Sequence, residues 1–220
     1  MLENETRKFI ENIIQGNVIQ GQKDNLTTVR NYLFTSFGSN NEVKTKYNYQ
    51  PTNKEKQKLA LIDFINKNSL WIDDELIVNN YLTEGGEAKI YFGKDGKSVI
   101  KLNDSIYYST WFDYFNSVLL HNCFFPNTNY ELIGFILKNQ VLFAVLKQPF
   151  IISSEMVDLN SLQQFLEFNG FINIKRTDYF NEEFGLILED IHDENVIVNN
   201  NVLFFIDTVF YINTPPQKKN

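Results

Sequence analysis

Hydrophobic residues recur every three or four positions through the first seventy residues, which is typical of helices that pack on one side. In residues 3–14, for example, Phe9, Ile10 and Ile13 fall on one helical face. A polar stretch, residues 38–53, interrupts the pattern, and we interpret it as a loop. The predicted helices are residues 3–14, 25–34 and 54–68.

From Trp71 onward, apolar and polar residues alternate, which is typical of strands. A Gly85-Gly86 pair and the segment 94–96 mark turns, and residues 105–122 have the composition of a helix. The predicted strands are residues 76–81, 88–92, 98–102, 130–137 and 141–146. The middle of the chain is therefore expected to form a five-stranded antiparallel sheet with one inserted helix.

After Pro149 a further helix is predicted, capped by Asp158 or Ser161 and ending at Asn169-Gly170. The predicted strands that follow are residues 185–188, 196–198 and 202–206. The whole pattern is of the α+β class. Four segments are expected: a helical segment 1–70, a sheet segment 71–148, a smaller segment 149–213 and a flexible tail 214–220.

Composition removes several classes of function. A net charge of −7 and a pI near 4.9 argue against a nucleic-acid partner, because proteins that bind nucleic-acid phosphates carry a basic surface. A local basic cluster is still compatible with this negative total charge. Cys123 is the single cysteine, which excludes an internal disulfide and a cysteine-based zinc cluster. No apolar run approaches the ~18 residues of a membrane span, and residues 1–10 lack the apolar core of a signal peptide. We therefore expect a cytoplasmic protein without a membrane partner.

The candidate chemistry lies near the carboxy terminus. Asp190 is followed five residues later by Asn195, then by a predicted hairpin and by Asp207 at the end of an apolar strand. Phosphoryl transfer needs a carboxylate to orient the attacking hydroxyl, and an amide oxygen with a second carboxylate to hold Mg²⁺. A hairpin would return Asp207 to Asn195. The alternative is a solvated acidic turn before an ordinary hairpin, whereas the EF-hand's ligand spacing and glycine are missing.

These residues resemble the kinase-like superfamily, and the Asp-Ile-His-Asp-Glu-Asn stretch, residues 190–195, is closest to the loop of aminoglycoside-phosphotransferase-like kinases. The resemblance implies that Asp190 is the catalytic aspartate and that Asn195 and Asp207 are Mg²⁺ ligands. Glu189 stands where eukaryotic kinases have Arg. Thr208 replaces the Phe of their D-F-G motif, so control through packing of that Phe is not implied.

A second set of residues lies upstream. The turn Gly85-Gly86-Glu87 precedes two strands, and the second of them carries Lys101 in Val99-Ile100-Lys101. Kinases cover the ATP phosphates with a glycine-rich turn and contact them with a lysine on the third strand. The turn departs from Gly-x-Gly-x-x-Gly, and a lysine that ends a strand often only reaches solvent. The order of the elements favours the kinase interpretation.

The same resemblance implies two further contacts. Lys101 should pair with a carboxylate, for which Asp113 on the inserted helix is proposed, with Glu131 or Glu87 as substitutes. A solvated position for Asp113 is an equal alternative. Residues 147–150 look like the hinge that contacts adenine, which assigns Gln148 and Phe150 to nucleotide binding, although any strand exit could have this sequence.

More narrowly, residues 85–207 resemble the kinase domain of polyvalent proteins of phages and conjugative elements. The shared residues include His121-Asn122 with Phe125-Pro126, Gln148-Pro149-Phe150 and residues 190–195. The resemblance implies a two-lobed fold with a reduced helical carboxy-terminal lobe, and ATP with Mg²⁺ as cofactors. The acceptor is unspecified and could be a protein or a small molecule.

Three functions remain open from the sequence: a phosphotransferase, a pseudokinase or nucleotide-binding interaction module, and an AMP transferase on a kinase scaffold. Thirteen residues follow Asp207, where eukaryotic kinases place an activation loop and substrate-binding helices. We therefore expect the amino-terminal helices and the helix near Ser161, or a partner, to complete the substrate side.

Overall fold

A computed structural model describes residues 3–37, 53–73, 80–85 and 88–213. Its helices are α1 (Asn4–Ile14), α2 (Asn25–Phe37), α3 (Asn53–Asn68), α4 (Trp111–Phe124) and α5 (Leu159–Phe168). Its first five strands are β1 (Tyr81–Glu84), β2 (Ala88–Phe92), β3 (Ser98–Asn103), β4 (Glu131–Lys138) and β5 (Val141–Pro149). The later strands are β6 (Phe171–Lys175), β7 (Asp178–Asn181), β8 (Leu186–Glu189), β9 (Val196–Asn199), β10 (Val202–Phe205) and β11 (Val209–Ile212).

The residues group into two compact units. The sheet unit contains Val18–Asn116 and Tyr130–Phe150, and the C-terminal unit contains Met1–Asn17, Ser117–Asn129 and Ile151–Asn220. The boundary expected between residues 148 and 149 falls close to the change of unit after Phe150. The expected helical segment 1–70 is divided, since α1 lies in the C-terminal unit whereas α2 and α3 lie in the sheet unit.

The sheet unit is built on a five-stranded sheet of order β1-β2-β3-β5-β4 in which every pairing is antiparallel. Every residue of β3 is buried, because the strand lies in the middle of the sheet. Ile100 and Leu102 on β3 pack with Val145 on β5 and Ile136 on β4 in one apolar cluster. The five-stranded antiparallel sheet predicted from the alternating pattern is confirmed.

The outer edge of β4 is extended by a short segment that follows α3. Trp71 forms a parallel bridge with Phe135, whose backbone N–H donates to the carbonyl of Leu70 at 2.9 Å. Gly134 lies at a register shift in β4 and has a φ of 155°. A side chain there would collide with the carbonyl oxygen of Leu70 and with Ile72, so this position requires glycine.

Helix α2 covers part of the sheet unit and is held by polar contacts as well as apolar ones. Asn25 donates to the carbonyl of Leu132 on β4 at 3.1 Å. Arg30 is fully buried, and its Nε donates to the side-chain oxygen of Asn116 on α4 at 2.9 Å. The guanidinium also lies 4.8 Å from the ring centroid of Phe112. Burial lowers the pKa of Arg30 to about 10, so the group stays charged at neutral pH.

The C-terminal unit combines helices with six short strands. Four strands form a sheet of order β11-β8-β7-β6, and β9 pairs with β10 as a separate hairpin. The helix α5 begins after Asp158, whose carboxylate accepts hydrogen bonds from the backbone N–H groups of Asn160 and Ser161. The predicted cap at Asp158 is therefore confirmed.

Two expectations need correction. The segment after residue 149 is not mainly helical, because among its described residues α5 is followed by six strands, and β6, β7 and β11 were not predicted. Helix α4 begins at Trp111 instead of residue 105, because Thr110 caps it and Ser105 has a φ of 60°. The ammonium group of Lys54 donates to the carbonyls of Ser105 and Tyr108, which stabilises the non-helical loop.

Several predictions concern residues outside those that the structure describes. They are most of the strand 76–81, residues 38–52 of the predicted loop, the turn residues Gly86 and Glu87, and the tail 214–220. Within the part of the chain that is described, no helix has both the length and the apolar character to cross a membrane.

Candidate active site

The loop from Asp190 to Asn195 connects β8 with β9 in the C-terminal unit. Asp190 adopts a left-handed backbone conformation with a φ of 64°, which few residues other than glycine tolerate and which costs on the order of 1 kcal/mol. Ile191 anchors the loop to the rest of the unit, since its side chain is buried and its N–H donates to the carbonyl of Thr177 at 3.0 Å. The strained turn directs the Asp190 carboxylate to the surface, where its side chain is 55% exposed.

Asn195 closes this loop through its side chain. Its Nδ2 donates to the Asp190 carboxylate oxygen Oδ2 and to the Asp190 carbonyl, both at 2.9 Å. The two residues predicted to share one site are therefore in direct contact.

His192 supports the same carboxylate. Its Nδ1 accepts the backbone N–H of Glu194 at 3.2 Å, so a neutral imidazole carries its proton on Nε2. That nitrogen lies 3.2 Å from Asp190 Oδ1. Both oxygens of Asp190 thus contact side chains of its own loop, Oδ2 through a hydrogen bond from Asn195 and Oδ1 at 3.2 Å from His192.

The backbone of Asn195 brings Asp207 to the same place. The strands β9 and β10 pair with Val196 opposite Phe205, so the residues just outside the hairpin are neighbours. The carbonyl oxygen of Asn195 accepts the N–H groups of Ile206 at 2.9 Å and of Asp207 at 3.4 Å. The hairpin therefore brings the backbone of Asp207 next to Asn195, whose side chain contacts Asp190.

The surroundings of this cluster are negative. Burial raises the pKa of Glu189 above its usual value, and the charges of Asp178 and Asp190 raise it further, whereas Lys175 opposes the change. Carboxylates that raise the pKa of a neighbouring carboxyl group create a negative potential, and this potential favours the binding of a cation.

Lys101 lies in the middle of β3 in the sheet unit and is only 5% exposed. Its Nζ lies 3.2 Å from the hydroxyl of Tyr130 and 5.3 Å from the centroid of that ring. A lysine that merely reached solvent from a strand end would be exposed, so the burial argues against that alternative. Tyr130 was missed from sequence, where it is only the first residue of a predicted strand.

Asp113 has a different contact from the one predicted. Its carboxylate accepts the hydroxyl hydrogen of Thr110 at 2.7 Å, and its N–H donates to the Thr110 oxygen at 3.0 Å. Thr110 thus caps the start of α4, and the Asp113 carboxylate holds the capping hydroxyl. The proposed substitute Glu131 lies opposite Lys147, whose pKa is raised by a hydrogen bond to Asp95 and to a smaller extent by Glu131. The other substitute, Glu87, lies outside the described residues.

The remaining nucleotide-binding candidates also lie in the sheet unit. Gly85 begins the turn between β1 and β2, and its N–H donates to the carbonyl of Ala88 at 3.0 Å. A methyl group at Gly85 would meet nothing within 4 Å, so protein packing does not demand glycine there. Gly86 beside it lies outside the described residues.

The predicted hinge, residues 147–150, spans the last residues of β5 and Phe150. Gln148 is buried within that strand opposite Val99. Phe150 donates its N–H to the carbonyl of Lys97 at 2.9 Å, and its ring packs edge-on against Phe92. The N–H of Phe150 therefore already has an acceptor within the protein. The ring of Phe150 extends the apolar surface of β2.

The order of the strands and the residues of the loop from Asp190 to Asn195 together define a class of protein. An antiparallel sheet with a buried lysine on its third strand and a helix before its fourth, followed by Asp-x4-Asn, a hairpin and a second Asp, has the parts of a kinase. Residues 54–214 match the family described as Serine/Threonine/Tyrosine Kinase found in polyvalent proteins. The match covers 161 of 220 residues, and the chain belongs to this family. The comparisons with curated proteins and with solved structures found no match.

Proposed function

We propose that the protein is an ATP- and Mg²⁺-dependent phosphotransferase that transfers the γ-phosphate to a hydroxyl group of a protein or a small molecule. The observation that carries the proposal is the position of Asn195. Its side chain holds Asp190, and its backbone carbonyl binds the backbone of Asp207. One residue thus joins the proposed catalytic carboxylate to the proposed metal ligands.

The cluster fits Mg²⁺ by its donor chemistry. Mg²⁺ prefers hard oxygen ligands and takes only one or two from the protein when phosphates and water supply the rest. Because the amide nitrogen of Asn195 is bound to Asp190, its amide oxygen is the atom for a cation, together with the Asp207 carboxylate. This amide–carboxylate pair is the proposed site, and the described residues contain no group of three or more His, Cys, Asp or Glu side chains suited to a metal.

Asp190 is the proposed catalytic residue. Its carboxylate is exposed and is held by His192 and Asn195, so it can accept a hydrogen bond from an incoming hydroxyl and orient it. Bound Mg²⁺ would neutralise charge on the phosphates of ATP.

Lys101 is proposed to contact the phosphates of ATP. Its burial strengthens an interaction with an anion, because water screens the charge less there. Gly85, Gly86 and Glu87 are proposed to approach the phosphates, with Gln148 and Phe150 near the adenine. Asp113 contacts Thr110 at the start of α4, and its pairing with Lys101 stays a proposal. A reaction that consumes ATP fits the cytoplasmic location expected from the sequence.

The intact mass of the protein after incubation with ATP and Mg²⁺ distinguishes the three candidate functions. A gain of one phosphate supports the phosphotransferase. A gain of AMP supports nucleotide transfer, and binding of ATP without any gain supports a pseudokinase or interaction module. The second result contradicts the proposal, and the third contradicts it when no ADP is formed from ATP either.

The first variant test is Asp190→Asn, which keeps the size of the side chain and removes its charge. We expect phosphate transfer to fall by about 10²-fold or more, since general-base groups contribute about 10² to 10⁴. The matched control is Asp193→Asn, in the same loop with a side chain that is 72% exposed. Equal activity of the two variants, both with wild-type circular dichroism, would contradict the role of Asp190.

A further inference from the structure

His121 is a fully buried side chain on α4 whose two ring nitrogens both have partners. Nε2 lies 2.9 Å from the carbonyl oxygen of Thr128, and Nδ1 lies 2.7 Å from the hydroxyl oxygen of Thr208. A carbonyl can only accept a hydrogen bond, so Nε2 carries the proton. In the neutral ring Nδ1 then accepts, and the Thr208 hydroxyl donates to it.

This contact falls beside Asp207. Thr208 follows Asp207 directly in the chain and is 7% exposed, so its hydroxyl has little access to water. His121 and Thr208 are 87 positions apart in sequence, and all of these residues belong to the C-terminal unit. A short hydrogen bond between buried groups at such a distance fixes the backbone next to the proposed metal ligand.

Two other contacts hold the same stretch of chain. The ring of Phe205 stacks on Phe125 with centroids 4.0 Å apart. The backbone N–H of Phe210 donates to the hydroxyl of Ser117 on α4 at 2.9 Å. Asp207 thus lies between anchors on both sides, and of these the Thr208 hydroxyl is the nearest in sequence.

We propose that His121 and Thr208 form a positioning pair that fixes Asp207 as a ligand for Mg²⁺ beside Asn195. In kinases with a D-F-G motif, packing of the Phe after the Asp decides whether the site is active. Here a hydrogen bond from Thr208 to His121 takes that place. The inference rests on the proposed function, because it concerns the metal site of the phosphotransferase.

The proposal assigns the hydroxyl group, and not the bulk of the side chain, as the important feature of Thr208. Thr208→Val keeps the shape and removes the hydroxyl, Thr208→Ala removes both, and Thr208→Ser keeps the hydroxyl. Groups that orient metal ligands from outside the coordination sphere contribute about 10- to 100-fold to metal affinity. We therefore expect Mn²⁺, used as a spectroscopic substitute for Mg²⁺, to bind about tenfold more weakly to the Val and Ala variants in the presence of ADP. The Ser variant should bind as the wild type does.

Binding is measured by electron paramagnetic resonance of free Mn²⁺ on the 220-residue chain, so catalytic turnover is not needed. Ser117→Ala is the matched control, because it removes a hydrogen bond to the same stretch three residues from Asp207. It should lower the melting temperature and weaken Mn²⁺ binding less than Thr208→Val does, because Phe210 lies farther from Asp207 than Thr208. In activity assays, Thr208→Val should raise the Mg²⁺ concentration for half-maximal rate, with a smaller change at saturating Mg²⁺.

Several results would overturn the positioning role. One is unchanged Mn²⁺ affinity in Thr208→Val or Thr208→Ala. The others are a loss of Mn²⁺ affinity in Thr208→Ser, or in Ser117→Ala, as large as that in Thr208→Val. Asp207→Asn separates this inference from the proposed function. If Asp207→Asn loses Mn²⁺ binding but Thr208→Val does not, only the positioning pair is wrong. If Asp207→Asn binds Mn²⁺ as the wild type does, the proposed metal site itself is wrong.

Discussion

At the scale of single residues, the side chain and the backbone of Asn195 make different contacts in the candidate site. Asn195 uses its amide nitrogen for Asp190 and its carbonyl oxygen for the chain at Asp207. A substitution therefore changes the first contact and leaves the second, since the backbone remains. The Nε2 atom of His192 lies against the Asp190 carboxylate, which makes His192 a support for that carboxylate and not an independent base.

Tyr130 offers a prediction at this scale because its hydroxyl contacts Lys101. Tyr130→Phe removes that hydroxyl and keeps the ring beside the ammonium group. The free energy of unfolding should fall by about 1 kcal/mol, the usual contribution of one hydrogen bond. The KM for ATP should rise several-fold, because the lysine loses a partner that holds it in place.

The control for this test is Tyr81→Phe, since the Tyr81 side chain is 58% exposed on β1. Steady-state kinetics at several ATP concentrations would separate KM from kcat. An unchanged KM in Tyr130→Phe would show that the hydroxyl does not position Lys101.

At the scale of elements, α4 is fixed at both of its ends by polar contacts. Its start is capped by Thr110 and Asp113, and its last turn carries His121 with its bond to Thr208. In the sheet unit, Asn116 of the same helix accepts the bond from Arg30 on α2. The part of α4 in the sheet unit is thus held by α2, and the part in the C-terminal unit is held by the stretch that contains Asp207.

Arg30→Ala tests the contact between α2 and α4. The variant loses a buried hydrogen bond and the packing of the guanidinium on Phe112, and it leaves the Asn116 oxygen with one donor fewer. We expect the free energy of unfolding to fall by about 3 kcal/mol, which combines the cost of a buried polar group with that of a cavity.

Urea denaturation measures this change, and Arg7→Ala is the matched control. Arg7 is on the surface of α1 and pairs with Glu183, with side chains 38% and 54% exposed. An exposed pair contributes about 1 kcal/mol or less. A loss in Arg30→Ala no larger than in Arg7→Ala would contradict the anchoring role.

At the scale of the whole molecule, the family match and the compact unit do not have the same limits. The match begins at residue 54, whereas α2 ends at Phe37 and still buries Leu26, Val29 and Leu33 in the sheet unit. The kinase region therefore depends on residues that lie outside the matched part of the chain.

A truncated chain that begins at residue 53 should be unstable. Burying each of the three apolar side chains of α2 contributes about 1.5 to 3 kcal/mol, so their loss removes about 5 kcal/mol or more. That is comparable with the whole stability of many domains. We expect the truncated chain to lack a cooperative thermal transition, measured by circular dichroism.

A chain without residues 215–220 is the control for this truncation, since those residues lie beyond the family match. It should melt as the full chain does. A cooperative transition within a few degrees of wild type for the chain starting at residue 53 would show that α2 is dispensable.

Much of the fold was predictable because local sequence expresses it directly. Strand β2 has the predicted bounds, and Asp158 caps α5, because alternation and capping involve residues close in the chain. The strands β6, β7 and β11 were missed. Ile172 and Ile174 of β6 are exposed at the edge of the sheet, so this strand lacks a regular burial pattern.

The sequence by itself determined the family and the three residues of the candidate site in the C-terminal unit. Asp190, Asn195 and Asp207 are joined by a loop and a hairpin, whose geometry follows from short-range pairing. The partners of these and the other site residues were decided only by the tertiary structure. Tyr130 beside Lys101, Asn116 beside Arg30 and His121 beside Thr208 are separated by 29, 86 and 87 positions. Such contacts depend on how distant elements pack, and no local pattern of hydrophobic and polar residues encodes them.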